Sequence, residues 1–350
     1  MSGMEPRTRY RLIRPGEAGA LRGLRVLIAG PETAPGMPAR GNAPDTQAKL
    51  DGFLAYARHA NIGINHQVLA LEAPVGNSVG SIAEIPVSND DEMLSDHAIV
   101  GGMCLWVPSP GRTAMLFAPS LSDFPQSAAA TELAVAGALE DARSAGVMLA
   151  QAMLEPADAA GKTVFAAAGL TQLATLTYME RRPPMHPIAY TLPAEFTLEP
   201  YSAETHNAFR TAILRSYEQT LDCPALAGLR DVDDIILGHK AVGPFDPQLW
   251  SVLIHHPTRE HPGDPVGCVL LAEISARRAL ELVYLGLAPS VRGRGLGRVL
   301  MNRVLSIASR RAFELATLAV DAANIPAARL YRRCGYTSVA QRVAMIKKIL

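Results

Sequence analysis

Apolar positions in the last third of the chain change period in a fixed order. Glu281 to Leu287 alternates with β-branched and aromatic residues and reads as a strand that stops at Ala288-Pro289-Ser290. Glycines follow at 293, 295 and 297, and Val299 to Leu305 then repeats at helical spacing. Strand, glycine-rich turn and helix aim successive backbone N–H groups and a helix start at one point, an arrangement that binds phosphate. Ala316 to Asp321 alternates again. Beyond it Asn324 is a good N-cap, Pro326 suits a first helical turn, Ala327, Leu330 and Tyr331 share a face, and Gly335 stands where a helix ends.

Upstream, Phe196 to Pro200 reads as a strand, and Ala203 to Tyr217 and Arg230 to Lys240 as helices. Trp250 to His255 and Pro265 to Ser275 read as paired strands. The first half carries a faded copy of the second. Met115 to Ser120 parallels Tyr284 to Ser290, an alanine-rich helix spans Ser127 to Ala145, and Gly146 to Leu154 is strand-like. Phe165 and Gly169 then stand to each other as Tyr331 and Gly335 do, and each pair runs into a strand-like tail, 172–181 and 338–348. Four elements in matching order indicate a tandem duplication. Three prolines in Pro183 to Pro187 mark the boundary, giving domains 1–182 and 183–350.

Two spaced motifs carry a family resemblance. Arg292-x-x-Gly295-x-Gly297 and Asn324-x-x-Ala327-x-x-Leu330-Tyr331-x-x-x-Gly335-Tyr336 resemble the GNAT superfamily of acyl-CoA N-acyltransferases, including its two-copy members such as mycothiol synthase-like enzymes. The resemblance implies an α/β (α+β) fold of two tandem GNAT-like domains, each a mixed, mostly antiparallel sheet flanked by helices. It also implies direct acyl transfer from acetyl-CoA, as co-substrate and without metal, to a primary amine. Acetyl-CoA would be held by Leu285, Gly286 and Leu287 of the strand, by Arg292, Gly293, Arg294, Gly295, Leu296, Gly297 and Arg298 of the loop, and by Asn324. A glycine in a strand often marks a bulge, which places the family's strand bulge at Gly286. Tyr331 would protonate the departing thiolate. Glu281, in the position of a catalytic glutamate in some histone-acetylating members, would take the amine proton.

In the first copy the loop reads Leu121-Ser122-Asp123-Phe124-Pro125-Gln126, without glycine and with an added acid, and Phe165 replaces Tyr331. That copy is expected to be inactive and to leave acetyl-CoA unbound. The alternatives are a protein or peptide N-acetyltransferase and a non-catalytic acyl-CoA-binding protein.

Composition narrows the setting. The chain has 350 residues, 33 basic against 33 acidic, and 49% apolar residues, enough for two cores and without a bulk field for nucleic acid or an anionic membrane. Cys104, Cys223, Cys268 and Cys334 form no C-x-x-C pair and suit a reducing compartment. Met1 to Arg14 lacks an apolar signal core, and 25–30 is too short to span a bilayer, so a cytoplasmic protein is expected; the resemblance to two-copy members implies a small amine acceptor. Asp222 and Cys223, within the weakly patterned 220–247, and Glu273 are further acceptor-pocket candidates. His255, His256 and His261 surround a proline-containing loop, and adjacent histidines on a strand face opposite ways, which favours surface roles.

Overall fold

The computed structural model describes residues 10–34, 37–38, 47–54, 63–64, 66–72, 98–121, 124–258 and 260–350. The chain forms two compact units, and neither is contiguous in sequence. Unit 1 comprises Met1–Pro108, Arg112–Gln172 and Met345–Leu350, and unit 2 comprises Ser109–Gly111 and Leu173–Ala344. The sequence boundary at 182/183 follows the repeat. The compact units instead divide at Leu173 and Met345: residues from Leu173 to Ala344 belong to unit 2, and the last six residues to unit 1.

In unit 1, β1 (Tyr10–Ile13), α1 (Glu17–Ala29), β2 (Glu32–Ala34), β3 (Met37–Pro38) and α2 (residues 47–54) precede β4 (Gln67–Glu72), β5 (Val100–Ser109) and β6 (Thr113–Phe117). Then come α3 (Ala128–Ser144), β7 (Leu149–Leu154) and α4 (Ala159–Ala167). The sheet order is β1-β4-β5-β6-β7, antiparallel except for the parallel β6–β7 pair. Ile13, Leu24, Leu69, Met103 and Leu105 fill one core. Alanines let α3 lie close to the sheet, where a Cβ on Gly102 would stand 2.5 Å from the Thr131 nitrogen. Ser122 and Asp123, central to the glycine-free loop, lie outside the described residues. Phe165 is fully buried in α4.

Unit 2 receives β8 (Thr171–Arg181) from Leu173 onward and continues with β9 (Phe196–Pro200), α5 (His206–Tyr217) and α6 (Val232–Lys240). It is completed by β10 (Trp250–His255), β11 (Asp264–Ile274), β12 (Ala279–Leu287), α7 (Leu296–Arg310), β13 (Leu315–Asp321), α8 (Ile325–Arg333) and most of β14 (Thr337–Lys348). The order β8-β13-β12-β11-β10-β9 is antiparallel except for β12–β13, the pair joined through α7. Phe209, Ile213, Trp250, Leu270, Leu300 and Val304 belong to its core.

Local signals explain these elements. Asp231 caps α6 by accepting from the Asp233 N–H, and Asn324 caps α8 by accepting from the Ala327 N–H at 3.3 Å. Gly335, at φ +84°, follows α8 in a conformation that favours glycine. Among the described residues no helix is long and apolar enough to cross a membrane.

Candidate active site

The pairing of β12 with β13 runs from Ala279–Leu315 to Leu282–Leu318 and stops there. Val283 is the extra residue on β12, since Leu270 faces Tyr284 while Leu271 faces Leu282. A bulge bends and twists its strand, and here it coincides with the splay from β13. The bulge is therefore at Val283 and not at Gly286, which sits in register opposite Cys268. Glycine at 286 answers a packing constraint: a Cβ would stand 2.5 Å from Ser216 Oγ and 2.6 Å from the Tyr284 ring.

The splay frees backbone groups. Ala288 N–H donates to the Val266 carbonyl of β11 at 2.7 Å. Bonding direction alternates along an antiparallel pair, so Gly286 and Tyr284 address β11. Leu285 directs its N–H and C=O groups into the gap, and Leu287 its N–H, since the Leu287 carbonyl accepts from Arg292. That gap is a cleft of about 230 Å³, lined by 282–287 of β12, Ala319 and Val320 of β13, the start and inner face of α8, and the segment after α5.

The glycine loop lies between β12 and α7. Gly293 (φ +75°) and Gly295 (φ +80°) hold conformations that favour glycine, and a Cβ on either would meet no atom within 4 Å. Backbone geometry, not crowding, requires them. Gly297 differs: its Cβ would stand 3.0 Å from Leu330, so it lets α7 approach α8. Gly295 caps α7 without a side-chain bond, and Leu296 opens the helix. Arg298 N–H is already committed to the Gly295 carbonyl at 3.0 Å.

The loop arginines are not loose counter-charges. Arg292 donates from Nε to Leu287 O at 2.9 Å, from Nη1 to Gln219 O at 3.0 Å, and from Nη2 to Ser216 O at 2.9 Å and Glu218 O at 2.8 Å. It fastens the end of α5 to the end of β12. Arg294 pairs with Glu195 at 2.8 Å over the Phe196 ring, and Arg298 reaches the Arg333 carbonyl at 3.4 Å.

Tyr331 lines the cleft from α8, and burial raises its phenol well above the ordinary value, with the charge of Asp222 adding to the rise. It is therefore a protonated donor throughout the neutral range. Asn324 borders the same cleft. Glu281 is placed elsewhere. Its carboxylate accepts from the Thr317 hydroxyl, its charge acts on Tyr178 and Tyr336, and it is not among the residues lining the cleft. Burial raises its pKa, while Thr317 and Arg277 oppose the rise.

Of the acceptor-pocket candidates, Asp222 lines the cleft and Glu273 does not; Glu273 accepts from Ser275. Burial pushes the Cys223 thiol up to about 12, which makes it a poor nucleophile. His256 bonds to Thr197 at 3.0 Å, and His255 packs on Phe196. Sequence reasoning missed Ser216 and Tyr284, whose hydroxyls lie 2.7 Å apart beside Gly286. Their partnership joins α5 to β12, and neither residue belongs to a local motif.

Residues 234–336, which include α7, β13, α8 and the glycine loop, match the model of the acetyltransferase (GNAT) family. The second unit carries a GNAT domain. The chain is similar to mycothiol acetyltransferase of Beutenbergia cavernae, at 40% identity over 60 residues covering 17% of this chain and 20% of that protein. It also resembles an uncharacterized N-acetyltransferase of Methanocaldococcus jannaschii, at 30% identity over 95 residues covering 25% of this chain and 42% of that protein. The chain thus spans less than half the length of either relative. The GNAT fold extends over the whole chain: a GCN5-related N-acetyltransferase from Sphaerobacter thermophilus superposes with TM-score 0.55 at 17% identity, covering 99% of this chain and 97% of the other.

Proposed function

We propose that the GNAT unit transfers an acetyl group from acetyl-CoA to the primary amine of a small acceptor by direct attack. The observation that carries this reading is the splay after Leu282 and Leu318, with the backbone of Leu285 and Leu287 facing the gap and Tyr331 inside it. These features fit an acyl-CoA. An extended pantetheine arm can pair with Leu285 and Leu287 as an added strand does, and the loop amides with the positive end of α7 suit its phosphates. Four free, separated cysteines support a cytoplasmic setting.

The protein's own groups then divide the work. A β12 backbone N–H directed into the gap polarises the thioester carbonyl as an oxyanion hole does. The amine nitrogen attacks that carbon, the C–S bond breaks, and Tyr331 donates its phenolic proton to the departing sulfur. The phenolate regains a proton from the newly acylated nitrogen, directly or through water. Burial holds the Tyr331 phenol above its ordinary value near 10, so its proton passes to the sulfur, ordinarily near 8.5, as the acylated nitrogen returns a proton to the phenolate. Release of free CoA thiol from acetyl-CoA across a library of primary amines tests the reading. Release with a set of small amines is expected. Acetyl-CoA binding without release from any amine would identify a non-catalytic binder.

A further inference from the structure

Two charged side chains line the cleft, Asp222 and Arg292. The guanidinium of Arg292 is spent on four backbone carbonyls. The charge left to a ligand beside Tyr331 is therefore the Asp222 carboxylate. Tyr284 of β12 and Tyr331 of α8 line the same cleft, and the Asp222 charge acts on both and on Tyr217 of α5. A carboxylate among aromatic rings is the chemistry that recognises an ammonium group.

We propose that Asp222, and not Glu281, receives the acceptor's ammonium group in the cleft and takes its proton. The proposal rests on the N-acetyltransferase reading and names the class of acceptor, a cationic alkylamine. Asp222 is held for the task. Its Oδ1 accepts from Asp321 N–H at 3.2 Å, and the Asn324 side chain also bonds to it. The neighbouring Asp321 does not compete, because its carboxylate accepts from Cys223 N–H at 3.2 Å and Ala323 N–H at 2.9 Å. The segment is fixed at both ends by strained left-handed residues, Gln219 (φ +50°) and Cys223 (φ +45°), as functional segments often are.

Asp222 bonds to Asp321 N–H and the Asn324 side chain, shares the cleft with Tyr284, Tyr331 and Arg292, and interacts through its charge with Tyr217, Cys223 and Asp321. Burial and the charge of Asp321 raise its pKa, and the bonds from Asp321 N–H and Asn324 restrain the rise. A raised carboxylate is a stronger base toward an ammonium group. The proton balance closes: R–NH₃⁺ gives one proton to Asp222, the free amine attacks, and Asp222 returns that proton to solvent after CoA–SH and the amide leave.

The test is Asp222→Asn, which keeps an oxygen for the Asp321 N–H. Acetyl-CoA affinity should hold within about two-fold while kcat falls about 10²-fold or more, and the acidic limb of the kcat/KM profile should disappear. Tetramethylammonium, which carries no proton to lose, should compete with the amine in the wild type and about ten-fold more weakly in the Asn variant. Asp222→Glu should restore that competition. An Asn variant with intact turnover, acidic limb and tetramethylammonium inhibition overturns the role of Asp222 and leaves acyl transfer standing. A wild type that acetylates no amine overturns both.

Discussion

The backbone N–H of Asp321, at the end of β13, donates to the carboxylate of Asp222 at 3.2 Å, while the Asp321 carboxylate accepts from Cys223 N–H at the same distance. This reciprocal pair pins the segment after α5 against the strand that has just parted from β12. One wall of the cleft is thus held to the other, and Arg292 makes a second tie through the carbonyls of Ser216, Glu218 and Gln219.

Arg292→Lys should show how much that second tie matters. An ammonium cannot reproduce a planar fork that reaches four carbonyls. Stability should fall by about 1–3 kcal/mol, and acetyl-CoA affinity should fall with it because the cleft wall loosens. Denaturant melts and calorimetry on the same preparation check both effects.

Gly286→Ala places a methyl group within 2.6 Å of Ser216 Oγ and the Tyr284 ring. The added atom must push α5 from β12 or break the Ser216–Tyr284 hydrogen bond. A loss of about 1–3 kcal/mol is expected, measured as a shift in denaturation midpoint with unchanged slope.

Tyr331→Phe removes the phenolic proton and keeps the ring. The equivalent position of the first copy already accommodates Phe165 fully buried, so folding should survive. Turnover should fall by roughly 10²-fold while acetyl-CoA affinity stays nearly constant. Steady-state kinetics with a responsive amine, beside an acetyl-CoA titration, separates the two.

His239 gives stability a pH dependence of known sign. It is half-buried against Tyr284 with its buried Nε2 unpartnered, and loss of solvent there with the nearby Arg230 pushes its pKa down from 6.5 to about 4. Between those values the unfolded chain binds the extra proton, so stability rises with pH through that window and is lost as pH falls toward 4. The contribution is up to about 3 kcal/mol. Urea melts at pH 5 and pH 7 should show a gap that His239→Leu narrows.

Much of this was legible in the sequence, for physical reasons that differ by element. β12, the glycine loop, α7, β13 and α8 announce themselves because their signals are local: alternation, positive-φ glycines, the Asn324 cap and the Gly335 stop. The bulge was misplaced because Val283 is an ordinary strand residue, and only its register against Leu270 and Leu271 reveals it. Arg292 read as a phosphate ligand because its carbonyl partners lie more than seventy positions away for three of the four bonds. Glu281 shares its strand with the cleft but bonds to Thr317 outside the cleft lining. The division at Leu173 was invisible, since 172–181 and 338–348 have the same alternating character and nothing local says which unit each joins.

That division has a consequence for truncation. A fragment starting at Pro183 lacks β8, which pairs with β13 from Arg181–Ala316 to Leu176–Asp321. It should aggregate through the bared edge of β13, whereas a fragment starting at Leu173 should be more soluble. Size-exclusion profiles of the two compare them directly.

The reading of unit 2 as an acyl-CoA site meets its most direct test in calorimetric titration of the intact chain with acetyl-CoA, beside the variant Gly295→Asp. Gly295 has open space around its Cβ position, so the variant adds charge and left-handed strain of about 1–2 kcal/mol without a clash. One acetyl-CoA per chain, with binding abolished in the variant, is the expected result. No binding to the wild type, two molecules per chain, or affinity unchanged by Gly295→Asp would contradict it.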